Sequence, residues 1–235
     1  MGDSRLSSSQ LLAVLAAVFI EAAPKAFSAD LSAGIAAISR NDFSTAFKEL
    51  SPLAVRGMPA AQNYLGVLYA NGAGLNRNLD EAVRLWRLAA EKGDENAQNN
   101  LGMAYFFGAG VSQDFSEAKS LWELAAQRGS AHAQNNLGVF FVNGEGVGMP
   151  YGERDFSAGV LWLRRATEQG NAAAISNLAR MYMTGFGIVK NIDEAVLLLR
   201  LGYKPEISRT AHSNLIFNED LVIDLGEELD SNIQQ

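Results

Sequence analysis

Small and apolar residues fall at Ala61, Leu65, Leu68 and Tyr69, the i, i+4, i+7 and i+8 spacing of one helical face. The same spacing returns at Ala97, Leu101 and Tyr105, and the segments opening at Ala133 and Ala174 repeat the design. Each such helix runs into a Gly-x-Gly pair: Gly72/Gly74, Gly108/Gly110, Gly144/Gly146 and Gly185/Gly187. Glycine accepts positive φ without a Cβ penalty, so these pairs predict helix ends and turns. A second helix then opens at Asn78, Asp114, Asp155 and Asn191, the residue types that cap helix N-termini. Glu81, Glu117 and Glu194, three residues on, suggest capping boxes. Trp86 and Trp122 follow Ala82 and Ala118 by four residues on the expected buried side, whereas Trp162 comes one position early.

Self-similarity of this length predicts stacked helical hairpins. Gly66, Gly102 and Gly138 are 36 residues apart, and Ala179 takes the position 41 further on. The extra five residues belong near Gly148-Met149-Pro150-Tyr151-Gly152, in a turn, where added length costs little. Asp42-Phe43-Ser44-Thr45-Ala46 matches Asp114-Phe115-Ser116-Glu117-Ala118 and marks a divergent leading unit without the long turn. The expected fold is all-α, an α/α superhelical solenoid over 29–202, with units of about 30–60, 61–96, 97–132, 133–173 and 174–205. Gly66 and its equivalents lack a side chain where the paired helix must come close.

The two ends read differently. Leu11 to Ile20 is a run of ten apolar residues behind Arg5. That is short of the roughly twenty needed to span a bilayer and suits a secretory signal. Ala26-Phe27-Ser28 would place cleavage before Ala29, so residues 1–28 are expected to be a signal peptide. The mature protein would then be exported to the periplasm or beyond, with no stable membrane insertion. At the other end, Ala211-His212-Ser213-Asn214-Leu215 looks like a degenerate first helix. Asn218 then precedes an amphipathic segment with Leu221, Val222, Leu225 and Leu229, so 206–235 is expected to close the array as an acidic cap.

Composition removes several kinds of chemistry. Cysteine is absent, and His132 and His212 are the two histidines, so neither thiol chemistry nor a metal site is expected. A net charge of −7 disfavours nucleic acid as a partner. Most of that charge lies beyond Gly202, where seven acids meet Lys204 and Arg209. The glycine pairs lack the lysine and serine of a phosphate loop. His132 beside Ser130 at an inter-unit turn is a poor catalytic pair, and no cofactor is expected.

The remaining candidate is the side of the first helices opposite the Ala61–Tyr69 stripe. Stepping about 100° per residue puts Asn63, Val67 and position 70 there. The equivalents are Asn99, Met103 and Phe106; Asn135, Val139 and Val142; Ser176, Arg180 and Met183. Two readings are open. Asn63, Val67, Asn99, Met103, Phe106, Asn135, Val139, Val142 and Arg180 could line a concave groove for a partner segment. Alternatively, they pack one unit against the next.

The segments AQNYLGVLYANGAG, AQNNLGMAYFFGAGV and AQNNLGVFFVNGEGV, with second halves of the DEAVRLW and SEAKSLW type, resemble the Sel-one-like repeat (SLR) family, relatives of tetratricopeptide repeats. The resemblance covers about residues 30–202. It implies a superhelix acting as a non-enzymatic adaptor or regulatory scaffold for a protein or peptide partner, in a family whose bacterial members are often exported. The expected protein is a monomer. The alternative is an envelope protein that binds cell-wall polymer or weakly hydrolyses it there. Ala179 in place of glycine and Gly202-Tyr203-Lys204-Pro205 in place of an alanine-rich end depart from the pattern.

Overall fold

The structure, a computed structural model, describes residues 30–144 and 154–202. The expected signal segment, the inserted residues around Gly148–Gly152 and the expected C-terminal cap lie outside the described residues. Ten helices follow one another without a strand among the described residues. They are α1 (Leu31–Ser39), α2 (Phe43–Val55), α3 (Pro59–Asn71), α4 (Leu79–Glu91), α5 (Glu95–Phe107), α6 (Phe115–Gln127), α7 (Ala131–Asn143), α8 (Phe156–Glu168), α9 (Ala172–Thr184) and α10 (Ile192–Gly202). Every helix packs on its chain neighbours, and first helices also touch their successors, α3 with α5 and α7 with α9. This is an all-α solenoid of five helical hairpins.

The caps explain where the second helices begin. Asp42, Asn78, Asp114, Asp155 and Asn191 each accept the N–H three residues on, at 2.9 to 3.1 Å. The reciprocal half of a capping box is replaced by another bond. The Asn78 N–H donates to the Tyr69 carbonyl at 2.9 Å, and Asp114, Asp155 and Asn191 do the same to Tyr105, Phe141 and Tyr182. The cap residue therefore closes the Gly-x-Gly turn as well as opening the helix. Glu81 is left to pair with Arg84 instead.

The turn glycines divide the work. Gly72, Gly108, Gly144 and Gly185 end the first helices in the left-handed region. Gly110 and Gly187 also have positive φ, and a Cβ there would meet backbone of Leu79 and Phe156 in the preceding unit. They serve as inter-unit contacts, not only as hinges of a turn. In the leading hairpin, Asn41 takes positive φ (58°) in a short connection, which is why that unit needs no glycine pair.

Inside each hairpin the indole does what the missing side chain allows. Cβ atoms on Gly66 and Gly102 would lie 2.6 Å from the Nε1 atoms of Trp86 and Trp122. In the next hairpin Leu163, fully buried, takes the tryptophan's place over Gly138, and Trp162 packs half-buried against the preceding core cluster, with the Arg165 guanidinium 4.7 Å from its ring. The displacement of one residue in the sequence is thus absorbed by exchanging the core residue.

Candidate functional site

The residues expected on an open concave face are mostly interior. Asn63, Val67, Asn99, Met103, Phe106, Asn135, Val139 and Val142 are all buried, Phe106 at 7% and Asn135 at 0% exposure. Arg180 alone among them is half-buried. The correction has a clear physical cause. A first helix is enclosed by its own second helix, by the preceding second helix and by neighbouring first helices, so both its faces are covered. Phe106 packs its ring on Phe115 and Trp122, with centroids 5.3 and 5.5 Å apart.

The asparagines satisfy one another across units. Asn100 Nδ2 donates to Asn63 Oδ1, Asn136 Nδ2 to Asn99 Oδ1 and Asn177 Nδ2 to Asn135 Oδ1, each at 2.9 Å. Trp86 and Trp122 donate Nε1–H to the carbonyls of Asn63 and Asn99 at 3.3 and 3.2 Å. Buried amides need such partners, because an unmade hydrogen bond inside costs more than a made one contributes. The ladder that suggested main-chain recognition of a peptide is a seam between repeats.

A second row of polar contacts lies at the hairpin ends. Lys92 Nζ donates to the Gly57 carbonyl at 2.6 Å and Arg128 Nη1 to the Gly93 carbonyl at 2.8 Å. At the third position Gln169 Nε2 donates to Gln134 Oε1 at 2.8 Å. Gln62, Gln98 and Gln134 each give Nε2–H to the carbonyl of the preceding second helix, on Ala54, Ala90 and Ala126. Only Gln134 has its Oε1 bonded as well; the Oε1 atoms of Gln62 and Gln98 are buried with no partner among the described residues.

Gln62 lines a cleft of about 490 Å³ between α2, α3 and α4. Its apolar wall comes from Phe47, Ala54, Leu65, Leu85 and Leu88. Tyr69 stands edge-on to Phe47, and Val55, 88% exposed, marks the outer lip. Glu81 and Arg84 close the rim through two charge-assisted bonds of 2.7 and 2.8 Å. The hydrogen bond from Arg84 holds the Glu81 carboxyl below its ordinary range. Sequence reasoning missed this cleft because its residues come from three successive helices, α2, α3 and α4, and share no sustained motif.

His132 is exposed, and the Ser130 hydroxyl caps α7 by accepting the Ala133 N–H at 3.4 Å. No group of three or more His, Asp or Glu side chains among the described residues is arranged to hold a metal ion. No described helix is long and apolar enough to cross a membrane.

With this geometry in place, comparison with known proteins is informative. The sequence profile of the Sel1 repeat matches residues 59–94, 96–130, 131–171 and 172–204. The chain belongs to the Sel1 repeat family. The matched segments are the last four hairpins, and α1 and α2 add a leading pair. A Sel1 repeat protein from Oxalobacter formigenes is 31% identical with a TM-score of 0.60, over 74% of this chain and 69% of that one. A protective antigen of uropathogenic Escherichia coli with an SLR fold is 30% identical with a TM-score of 0.61, over 72% of this chain. This chain spans only 36% of that antigen's length. A sel1 repeat protein from Klebsiella pneumoniae, 19% identical over 72% of this chain and 82% of its own, shares the fold with a TM-score of 0.52. The comparison with curated proteins gave no match. Sel1 repeat proteins are commonly scaffolds for protein–protein interaction and are generally not enzymes.

Proposed function

We propose that this Sel1 repeat protein is a non-enzymatic adaptor that holds an extended or helical segment of a partner protein. The observation that carries this reading is the cleft between α2, α3 and α4, where an apolar wall meets a charged rim of Glu81 and Arg84. A partner segment would lay a large apolar side chain against Phe47, Leu65 and Leu88 and meet the Glu81–Arg84 pair at the rim. The enclosed first-helix face leaves the concave reading only Arg180, beside Ser176 and Met183, as accessible surface. The second-helix side is the better candidate.

Export is part of the proposal, supported by the Leu11–Ile20 run and the small residues Ala26 and Ser28. N-terminal sequencing of protein recovered from the periplasm or medium would read Ala29 first; a retained Met1 would refute the cleavage. Binding is tested by panning a displayed peptide library on the full chain and measuring the enriched peptides on variants. Val55→Asp and Arg84→Glu should each weaken binding roughly tenfold, about 1.4 kcal/mol. Leu161→Asp, on an exposed position of α8, should leave it unchanged. An equal loss in all three variants, or no enriched peptide, would overturn the cleft as the docking site.

A further inference from the structure

The last described hairpin keeps open a face that the hairpin before it buries under its successor. On the second helices, Val160 and Leu163 of α8 are 4% and 0% exposed, in one buried cluster with α9. Their equivalents on α10, Val196 and Leu199, are 42% and 43% exposed. On the first helices, Asn135, Val139 and Val142 of α7 are buried, whereas Ser176 and Met183 of α9 are exposed and Arg180 half-buried. Ile192, Leu197 and Leu201 of α10 are exposed too, each about half. The residue types at Val196 and Leu199 are those of the buried positions, yet nothing among the described residues covers them. A solenoid end of this kind needs a cover with a polar back.

The chain continues past this face with the matching piece. Ala174-Ile175-Ser176-Asn177-Leu178 opens the buried stripe of α9, and Ala211-His212-Ser213-Asn214-Leu215 repeats four of its five residues. Ala211 follows Ala195 by 16 residues, against 15 from Ala82 to Ala97 and from Ala118 to Ala133. The register of the array is therefore kept to within one residue. In each rung of the buried ladder, the asparagine three after the leading alanine donates to the residue two after the leading alanine of the preceding unit. Continued once more, that rule pairs Asn214 with Ser176. The Ser176 hydroxyl donates to the Ala172 carbonyl at 3.1 Å, which leaves its oxygen free to accept.

We propose that residues 207–229 dock on the open face of α9 and α10 as the next element of the array. Asn214 Nδ2 donates to Ser176 Oγ, and Leu215 and Ile216 cover Val196 and Leu199. Leu221, Val222, Leu225 and Leu229 extend the apolar cover, while Glu219, Asp220, Asp224, Glu227 and Glu228 form its polar back. Arg200 and Lys190, both exposed near this end, suit an acidic cover. The occupant is the chain's own tail, because 33 residues follow Gly202, are tethered beside the face and carry its register.

Absence of native cysteine allows a direct test in the full chain. Ser176→Cys with Asn214→Cys should oxidise to a disulfide within one chain, read by mass after non-reducing digestion. Hydrogen exchange of the unmodified chain should show residues 211–217 protected by roughly tenfold or more. Val196→Asp should abolish that protection while leaving α1 to α9 protected as before. Free exchange of residues 211–217 in the unmodified chain would overturn the proposal. So would a disulfide formed only between two chains, which would make a second copy the occupant.

Discussion

Trp122 lies over Gly102 so closely that a Cβ on the glycine would sit 2.6 Å from the indole Nε1, which itself donates to the Asn99 carbonyl at 3.2 Å. One contact therefore joins the two helices of a hairpin by packing and by a hydrogen bond at once. Gly102→Val should cost about 1–3 kcal/mol through overpacking, and more if the Asn99 bond is lost with it. Thermal melts check this. A variant as stable as the parent would mean that the indole moves aside without cost.

The asparagine seam makes a sharper test than any single substitution. Asn99→Leu removes the acceptor of Asn136 Nδ2, buried between α5 and α7, and should cost about 1–3 kcal/mol. Asn99→Leu with Asn136→Leu should recover part of that loss, because the amide that lost its acceptor is removed too, at the cost of the longer 3.4 Å bond that Asn135 Nδ2 gives Asn136 Oδ1. A double-mutant cycle in denaturant gives the coupling directly, and strictly additive losses would show that the two amides act independently.

Phe106→Ala should fail by unfolding before it fails by binding. The ring is buried against Phe115 and Trp122, and its removal should cost about 3–5 kcal/mol. Circular dichroism melts will show a lowered midpoint. Retained stability with lost binding would return Phe106 to the partner surface.

At the cleft rim, Glu81 titrates below its ordinary value of 4.5 because Arg84 donates to it. A depressed carboxylate stabilises the fold above its unfolded pKa, and that contribution fades as pH falls through the folded value. The pair is largely exposed on the Arg84 side, so Glu81→Gln should cost only a few tenths of a kcal/mol at neutral pH. The gap between the two proteins should narrow as pH falls through the folded value of Glu81 and close below it. A gap that persists there would assign the loss to something other than the ion pair.

How much of this was legible depends on what a residue reports. Helix starts were written in Asp114 and Asn78, and helix ends in Gly108 and Gly72, since those roles need particular side chains or none. Gly102 announced a close approach for the same reason. Asn99 did not declare its neighbour, because an amide suits an interior rung as well as a peptide-binding groove. The helical period places Asn63, Asn99 and Asn135 opposite a buried stripe, but it carries no information about a second buried face. That second face exists because the stack is tight, a property of the whole array. The cleft was hidden for a related reason: Phe47 and Leu88 come from two different second helices, 41 residues apart.

The asparagine seam and the hairpin-end seam donate from a later hairpin to the one before it, whereas Arg87 and Arg164 donate forward to the Tyr105 and Tyr182 hydroxyls at 3.2 Å. Lys92 and Arg128 reach back to Gly57 and Gly93 over a constant interval of 35 residues, and Asn100 and Asn136 reach back over 37. A hairpin of this kind brings its own donors and offers its own acceptors, so a tandem copy spliced in between the second and third hairpins would meet the same chemistry above and below. Unequal crossing-over within the gene could therefore lengthen or shorten the protein by whole hairpins without a designed interface. Drift from the pattern is visible toward the end of the described array, at Ser176 and Ala179.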